Sequence, residues 1–133
     1  MRLINSVIFG LFRNRNFFGG RLLKLTTVGA RSGEQRTSTL AYFPDVDGTS
    51  WIIIGSANGA AKHPAWMFNL AKHPDQVWAE LGNRKVKVTP VTLTGDERAQ
   101  TWKRVVAQAP SYAGYETKTD RDIPVVRLSP AAS

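Results

Sequence analysis

Two glycines, a serine hydroxyl and two guanidiniums fall within eight consecutive residues, Gly29, Ala30, Arg31, Ser32, Gly33, Glu34, Gln35 and Arg36. Glycine lets backbone N–H groups approach a ligand closely, and arginine takes phosphate or carboxylate oxygens two at a time, so the segment suits an anion. No Gly-Lys-Ser/Thr follows, and the glycine spacing is not that of the dinucleotide fingerprint, so neither common nucleotide loop is present. The plain alternative is a hairpin turn with solvated arginines.

Two further segments carry polar chemistry. Residues 56–66 lead from an apolar run into Pro64, with Ser56, Asn58, Lys62 and His63 ahead of Trp66. Free loop amides and a helix N-terminus attract negative charge there, although a plain connection has the same composition. Residues 110–121 hold Tyr112 and Tyr115 beside Lys118, Asp120 and Arg121. Tyrosines in an irregular segment can stack on an aromatic ligand and offer it hydroxyls, or simply fold onto the surface. His63 and His73 stand ten residues apart, each before a proline, without a carboxylate or thiol cluster, so no metal site is expected. The chain has no cysteine, which excludes disulfides, thiolate metal sites and a cysteine nucleophile.

These segments sit in a basic chain of 133 residues with a net charge of +8, the size of one domain. The charge is uneven: residues 1–36 hold seven bases (Arg2, Arg13, Arg15, Arg21, Lys24, Arg31, Arg36) against the single acid Glu34. A field gathered at one end favours an anionic partner, whether nucleic acid, membrane surface or a phosphorylated small molecule. No apolar run reaches the roughly 20 residues that span a bilayer, and a cytoplasmic protein is expected.

The elements that position the segments are mainly strands. Leu3, Ile4, Val7, Ile8, Leu11 and Phe12 recur at helical spacing between arginines, which predicts a short amphipathic helix within an N-terminal segment, residues 1–20. Such a helix can pack on the domain or lie on a membrane through residues 3–18. The remainder, residues 21–133, reads as the domain proper. Residues 22–28, 36–43 and 51–54 read as strands, the last buried on both faces, with Asp47-Gly48 turning the second into the third. Pro64 opens a helix with Trp66 and Leu70 on one face, and His73-Pro74 ends it. Residues 76–81 and 85–94 form a hairpin across Gly82-Asn83, with Pro90 marking a bulge or an edge. Thr94 and Glu97 have the spacing of a capping box, ahead of a helix with Ala99, Trp102, Val105, Val106 and Ala109 as its face. Residues 123–128 read as a last strand. The pattern predicts an α+β domain, mainly β: a small antiparallel barrel with peripheral helices.

In order along the chain, Leu25-Thr26-Thr27-Val28-Gly29-Ala30-Arg31-Ser32-Gly33, Arg36, Leu40, Tyr42, Ser56, Gly59, Lys62-His63-Pro64-Ala65-Trp66, Asn69-Leu70, Pro74, Pro110-Ser111-Tyr112, Tyr115, Thr119-Asp120-Arg121 and Ile123-Pro124 resemble the deazaflavin-dependent nitroreductase family. The resemblance implies an FMN-binding-like split β-barrel that uses coenzyme F420, a deazaflavin with a phosphate and oligoglutamate tail, with FMN as the alternative coenzyme. It implies that Arg31, Ser32, Gly33 and Arg36 hold the tail with Lys62, and that Ser56, Ala57, Trp66 and Asn69 border the ring or its side chain. Ser56, Tyr112 and Tyr115 would face the acceptor, and either tyrosine hydroxyl can donate a hydrogen bond at neutral pH.

The implied activity is hydride transfer to an electron-poor acceptor, a quinone, an activated alkene or a nitroaromatic, by a monomer or homodimer. The sequence departs from the family at Ala30, Thr39, Ala41 and Ala57, which affects the acceptor more than the coenzyme. A deazaflavin carrier without turnover uses the same residues. A basic single-stranded nucleic-acid module is disfavoured, because the aromatics lie in apolar runs rather than interleaved with Lys and Arg.

Overall fold

The computed structural model describes residues 21–55, 64–114 and 123–131. The N-terminal helix expected over residues 3–12, and any membrane contact through it, lie outside the described residues. Six strands follow one another with two helices between them: β1 (Arg21–Val28), β2 (Gln35–Pro44), β3 (Trp51–Ile54), α1 (Ala65–Lys72), β4 (Trp78–Leu81), β5 (Arg84–Thr92), α2 (Gly95–Gln108) and β6 (Val125–Pro130). Every pairing is antiparallel, and the strands close in the order β1-β2-β3-β6-β5-β4. The expected antiparallel barrel is therefore the observed one. Closure leaves no sheet edge running the full length of the fold.

Alternation along the strands produces two apolar layers. Leu23, Leu25, Ile53, Val77, Ala79, Val88, Val126 and Leu128 pack in one cluster, joined by Trp66 and Leu70 of α1. Phe43, Ile52, Ile54, Leu93 and Val125 form the other, covered by Trp102, Val105 and Ala109 of α2 and its end and by Tyr112. β3 thus serves both layers, Ile53 on one side and Ile52 and Ile54 on the other, which is why its run is unbroken by polar residues.

Pro90 has a local explanation. β4 pairs with β5 only as far as Lys87, whereas β6 continues along β5 through Thr92. The proline lies beyond the reach of β4, where β5 has a partner on one side only and the missing N–H leaves no ladder bond unmade.

Helix α2 differs from expectation at its start. Thr94 occupies the N-cap but its side chain makes no capping bond, and Gly95 turns through φ +60°. Glu97 instead meets Arg127 Nη1 at 2.8 Å, an ion pair that draws the carboxylate away from the helix terminus. Ala99 is exposed; the buried side of α2 is Thr101, Trp102 and Val105. Helix α1 matches its pattern, with Trp66, Asn69 and Leu70 buried and the His73 N–H bonded to the Asn69 carbonyl at 2.9 Å.

Candidate functional site

The turn between β1 and β2 closes on itself. Gly29 N–H donates to the Glu34 carbonyl at 2.7 Å and Gly33 N–H to the Gly29 carbonyl at 3.0 Å, while Gly33 adopts φ +76°, a conformation glycine takes without a steric penalty. Ser32 Oγ accepts the Glu34 N–H at 3.1 Å. Gly29 is required for a different reason: a Cβ there would stand 2.6 Å from Ser32 Oγ.

A single side chain connects this turn to the helix beside it. Asn69 Oδ1 accepts the Ala30 N–H at 2.9 Å, and Asn69 Nδ2 donates to Thr27 Oγ1 at 3.1 Å. Asn69 is buried, so both ends of its amide need partners, and both find them in β1 and the turn. Together these bonds occupy the N–H groups of Gly29, Ala30, Gly33 and Glu34. The N–H groups of Arg31 and Ser32 have no acceptor among the described residues.

Between the turn, the start of β2 and α1 runs a groove of about 770 Å³. Arg31, Ser32 and Arg36 form one bank, with Thr37 and Ser38 continuing along β2; Ala65, Trp66, Phe68 and Asn69 form the other. Arg36 Nη1 lies 3.6 Å from Glu34 Oε1, an exposed pair that solvent screens. Arg31 is exposed and has no ion-pair partner among the described residues. Trp66 lines the groove while remaining only 5 % exposed, because its ring also belongs to the inner cluster. Phe68, at 55 % exposure, is the large apolar side chain that α1 presents outward.

The structure therefore brings Arg31, Ser32, Arg36, Trp66 and Asn69 to one groove, with Gly33 shaping its turn. It does not bring Tyr112 there. That ring lies in the outer cluster, edge-on to Phe43 with centroids 5.7 Å apart. Ser56, Ala57, Lys62 and Tyr115 lie outside the described residues. The sequence reading passed over Thr27, Thr37, Ser38 and Phe68. Phe68 had a signal: it is an apolar residue two positions from Trp66, off the face shared by Trp66 and Leu70. Thr27 had none, since nothing local marks a strand threonine as the acceptor of a distant amide.

Comparison with known proteins bears on the fold and the family. Residues 12–130 match the family model described as F420H(2)-dependent quinone reductase. An F420H(2)-dependent quinone reductase of Mycobacterium tuberculosis (strain ATCC 25618 / H37Rv) is 36% identical over 110 residues, covering 80% of this chain and 72% of that one. A solved structure titled as an F420-H2 dependent reductase, FDR-A, superposes with a TM-score of 0.70 at 37% identity over 81% of this chain and 93% of that one. Another, described as a domain-swapped dimer, gives a TM-score of 0.71 at 31% identity over 93% of this chain and 98% of that one. The family model matched over residues 12–130, with relatives above 30% identity across most of the chain, places the protein in the F420H(2)-dependent quinone reductase family, a family of oxidoreductases whose coenzyme is F420.

Proposed function

We propose that this chain reduces a quinone-like acceptor at the expense of reduced F420, which it holds in the groove between the β1–β2 turn and α1. One observation carries the proposal. Arg31, Ser32 and Arg36, with two backbone N–H groups that have no acceptor among the described residues, lie on one bank of a groove whose other bank is apolar apart from Asn69. That donor set fits a ligand with a phosphate and several carboxylates at one end and an aromatic ring at the other. Such a ligand also accounts for the charge gathered before residue 37.

Bound F420 in its reduced form supplies the hydride, and the acceptor takes that hydride with a proton from solvent or a side chain. The protein's contribution is placement. Arg31, Arg36 and the Arg31 and Ser32 N–H groups fix the anionic tail, with Lys62 as a further cation. Trp66 gives the ring a rigid wall, beside Ser56 and Ala57. Holding both reactants at contact distance removes much of the entropic part of the barrier. Ser56 and Tyr115 are the hydroxyls assigned to the oxygen on which negative charge develops. Activated alkenes and nitroaromatics accept hydride by the same electron demand and are secondary acceptors in this reading.

The test is a titration of purified protein with reduced F420, followed by acceptor screening with the coenzyme's return to its oxidised absorbance as the readout. Saturable binding with turnover on a soluble quinone is expected. Binding without turnover on any acceptor of the three classes identifies a carrier instead, and absence of binding removes the proposal.

A further inference from the structure

We infer that Asn69 is a positioning residue for anion recognition: it acts on the ligand through the β1–β2 turn, and it determines which N–H groups of that turn remain available. The inference rests on the tail-clamp reading of the groove.

The geometry gives the reason. Three of the four occupied N–H groups in the turn, those of Gly29, Gly33 and Glu34, are satisfied within it. Ala30 is the exception. Its N–H is taken from outside, by a side chain 39 residues further on. The two N–H groups that follow directly, of Arg31 and Ser32, are the ones without acceptors among the described residues. A fixed Ala30 therefore fixes the peptide planes on which the available donors sit. Without Asn69, the Ala30 N–H would need a new acceptor, and rotation of the turn to find one would move the neighbouring donors and the Arg31 side chain with them.

Two bonds together fix Asn69. The Ala30 N–H can only donate, so it takes the amide oxygen and not the nitrogen. Nδ2 donates to Thr27 Oγ1, a buried pairing that holds the other end of the amide in place. Thr27 is 1 % exposed and lies in β1, one residue before the strand's end. Thr27 thus orients Asn69, and Asn69 orients the turn. A preorganised donor set gives affinity because ordering of the loop is not charged to the binding step.

The experiment compares F420 with the deazaflavin that lacks the phosphate and glutamate tail. Affinities are measured by fluorescence titration for the wild type, Asn69→Leu and Thr27→Val. Both replacements keep the branching of the side chain, Thr27→Val its volume as well, and affinity for the tail-less compound reports on the integrity of the groove. The wild type is expected to prefer F420. Asn69→Leu should weaken F420 binding about tenfold, the size of one well-placed hydrogen bond set, with a smaller loss for the tail-less compound because Asn69 also lines the groove. Thr27→Val should give a smaller loss of the same kind.

In turnover, Thr27→Val should raise KM for reduced F420 while kcat and KM for the quinone stay constant. Amide exchange at Ala30 should quicken in both variants without change in the β1 strand. Equal loss of both ligands, or a preference for F420 that survives both substitutions, overturns the positioning role alone. Equal affinity of the wild type for the two ligands overturns the tail-clamp reading and the inference together. If Asn69→Leu fails to fold, Thr27→Val and its Ala30 exchange decide the question by the same criteria.

Discussion

Arg127 Nε donates to Asp45 Oδ2 at 2.5 Å, joining residues 82 positions apart, while Arg104 Nη2 reaches the other carboxylate oxygen at 3.1 Å. The Asp45 side chain is 1 % exposed, and its oxygens also take the Val46 N–H. One carboxylate thus joins the β2–β3 turn, helix α2 and strand β6. Arg127 has its pKa raised by its hydrogen bonds to Asp45 and Glu97, so it stays charged throughout the accessible range. Removing the carboxylate would take from Arg104 its ion-pair partner among the described residues and leave Arg127 with Glu97 alone. Asp45→Ala is expected to cost about 3 kcal/mol of stability, somewhat less than a fully buried pair because both arginines keep contact with water. Denaturant titration measures it, and a loss below about 1 kcal/mol would contradict the central role of Asp45.

Among the described residues, Arg31 and Arg36 make no ion pair beyond one exposed contact at 3.6 Å. The double substitution Arg31→Ala/Arg36→Ala should therefore leave the melting temperature nearly unchanged while weakening F420 binding by about a hundredfold or more. Binding by the wild type should also fall as salt rises, and the double variant should lose most of that dependence. Titrations at two ionic strengths, with a thermal melt of each protein, decide the matter.

At Gly29 the obstacle to a side chain is Ser32 Oγ at 2.6 Å, with the Glu34 carbonyl at 3.4 Å. Gly29→Ala should displace the serine hydroxyl, break its bond to the Glu34 N–H and lower affinity for F420 severalfold. Ser32→Gly in the Gly29→Ala background removes the clash and should restore folding stability but only part of the affinity, since the hydroxyl is lost. Failure of the second substitution to recover stability would show that the contact with the Glu34 carbonyl dominates.

Asp47 has its pKa lowered from 3.8 to about 2, first by the Thr49 N–H and then by the Ser50 hydroxyl and N–H. The folded state holds the carboxylate more strongly in its charged form than the unfolded chain does. The resulting stabilisation is complete above the unfolded value of 3.8 and is lost as pH falls toward 2. Asp47→Asn removes this term. The gap in melting temperature between wild type and variant is expected to be constant near neutral pH and to narrow steadily below about pH 5. A gap that stays constant to low pH would place the role of Asp47 elsewhere.

Much of this architecture could be read from the sequence, because its causes are local. Alternating apolar residues mark strands wherever one face is buried. Asp47-Gly48 and residues 29–33 can only be turns, and Trp66 and Leu70 share a helical face. The unbroken run of β3 already implied burial on two sides. The basic loop was visible as a candidate site because glycine and arginine announce their chemistry without help from distant residues.

Tertiary structure decided how the residues are used. Asp45 stands beside the Asp47-Gly48 turn with no local mark of a further role and is the centre of an ion-pair network, because Arg104 and Arg127 reach it only after α2 and β6 have docked. Glu97 had the spacing of a helix cap and is paired with Arg127 instead. Tyr112 sets its ring edge-on to Phe43, a neighbour that no local pattern names, because the segment after α2 turns back onto β2.

The sequence alone marked residues 29–36 as a candidate anion site, since their charge and backbone freedom belong to the segment itself. Which of its N–H groups stay available depends on an amide in α1 and a threonine in β1. Hydrogen bonds across 39 and 42 residues leave no periodicity in the chain, and they exist only once the barrel has closed and α1 has packed against it.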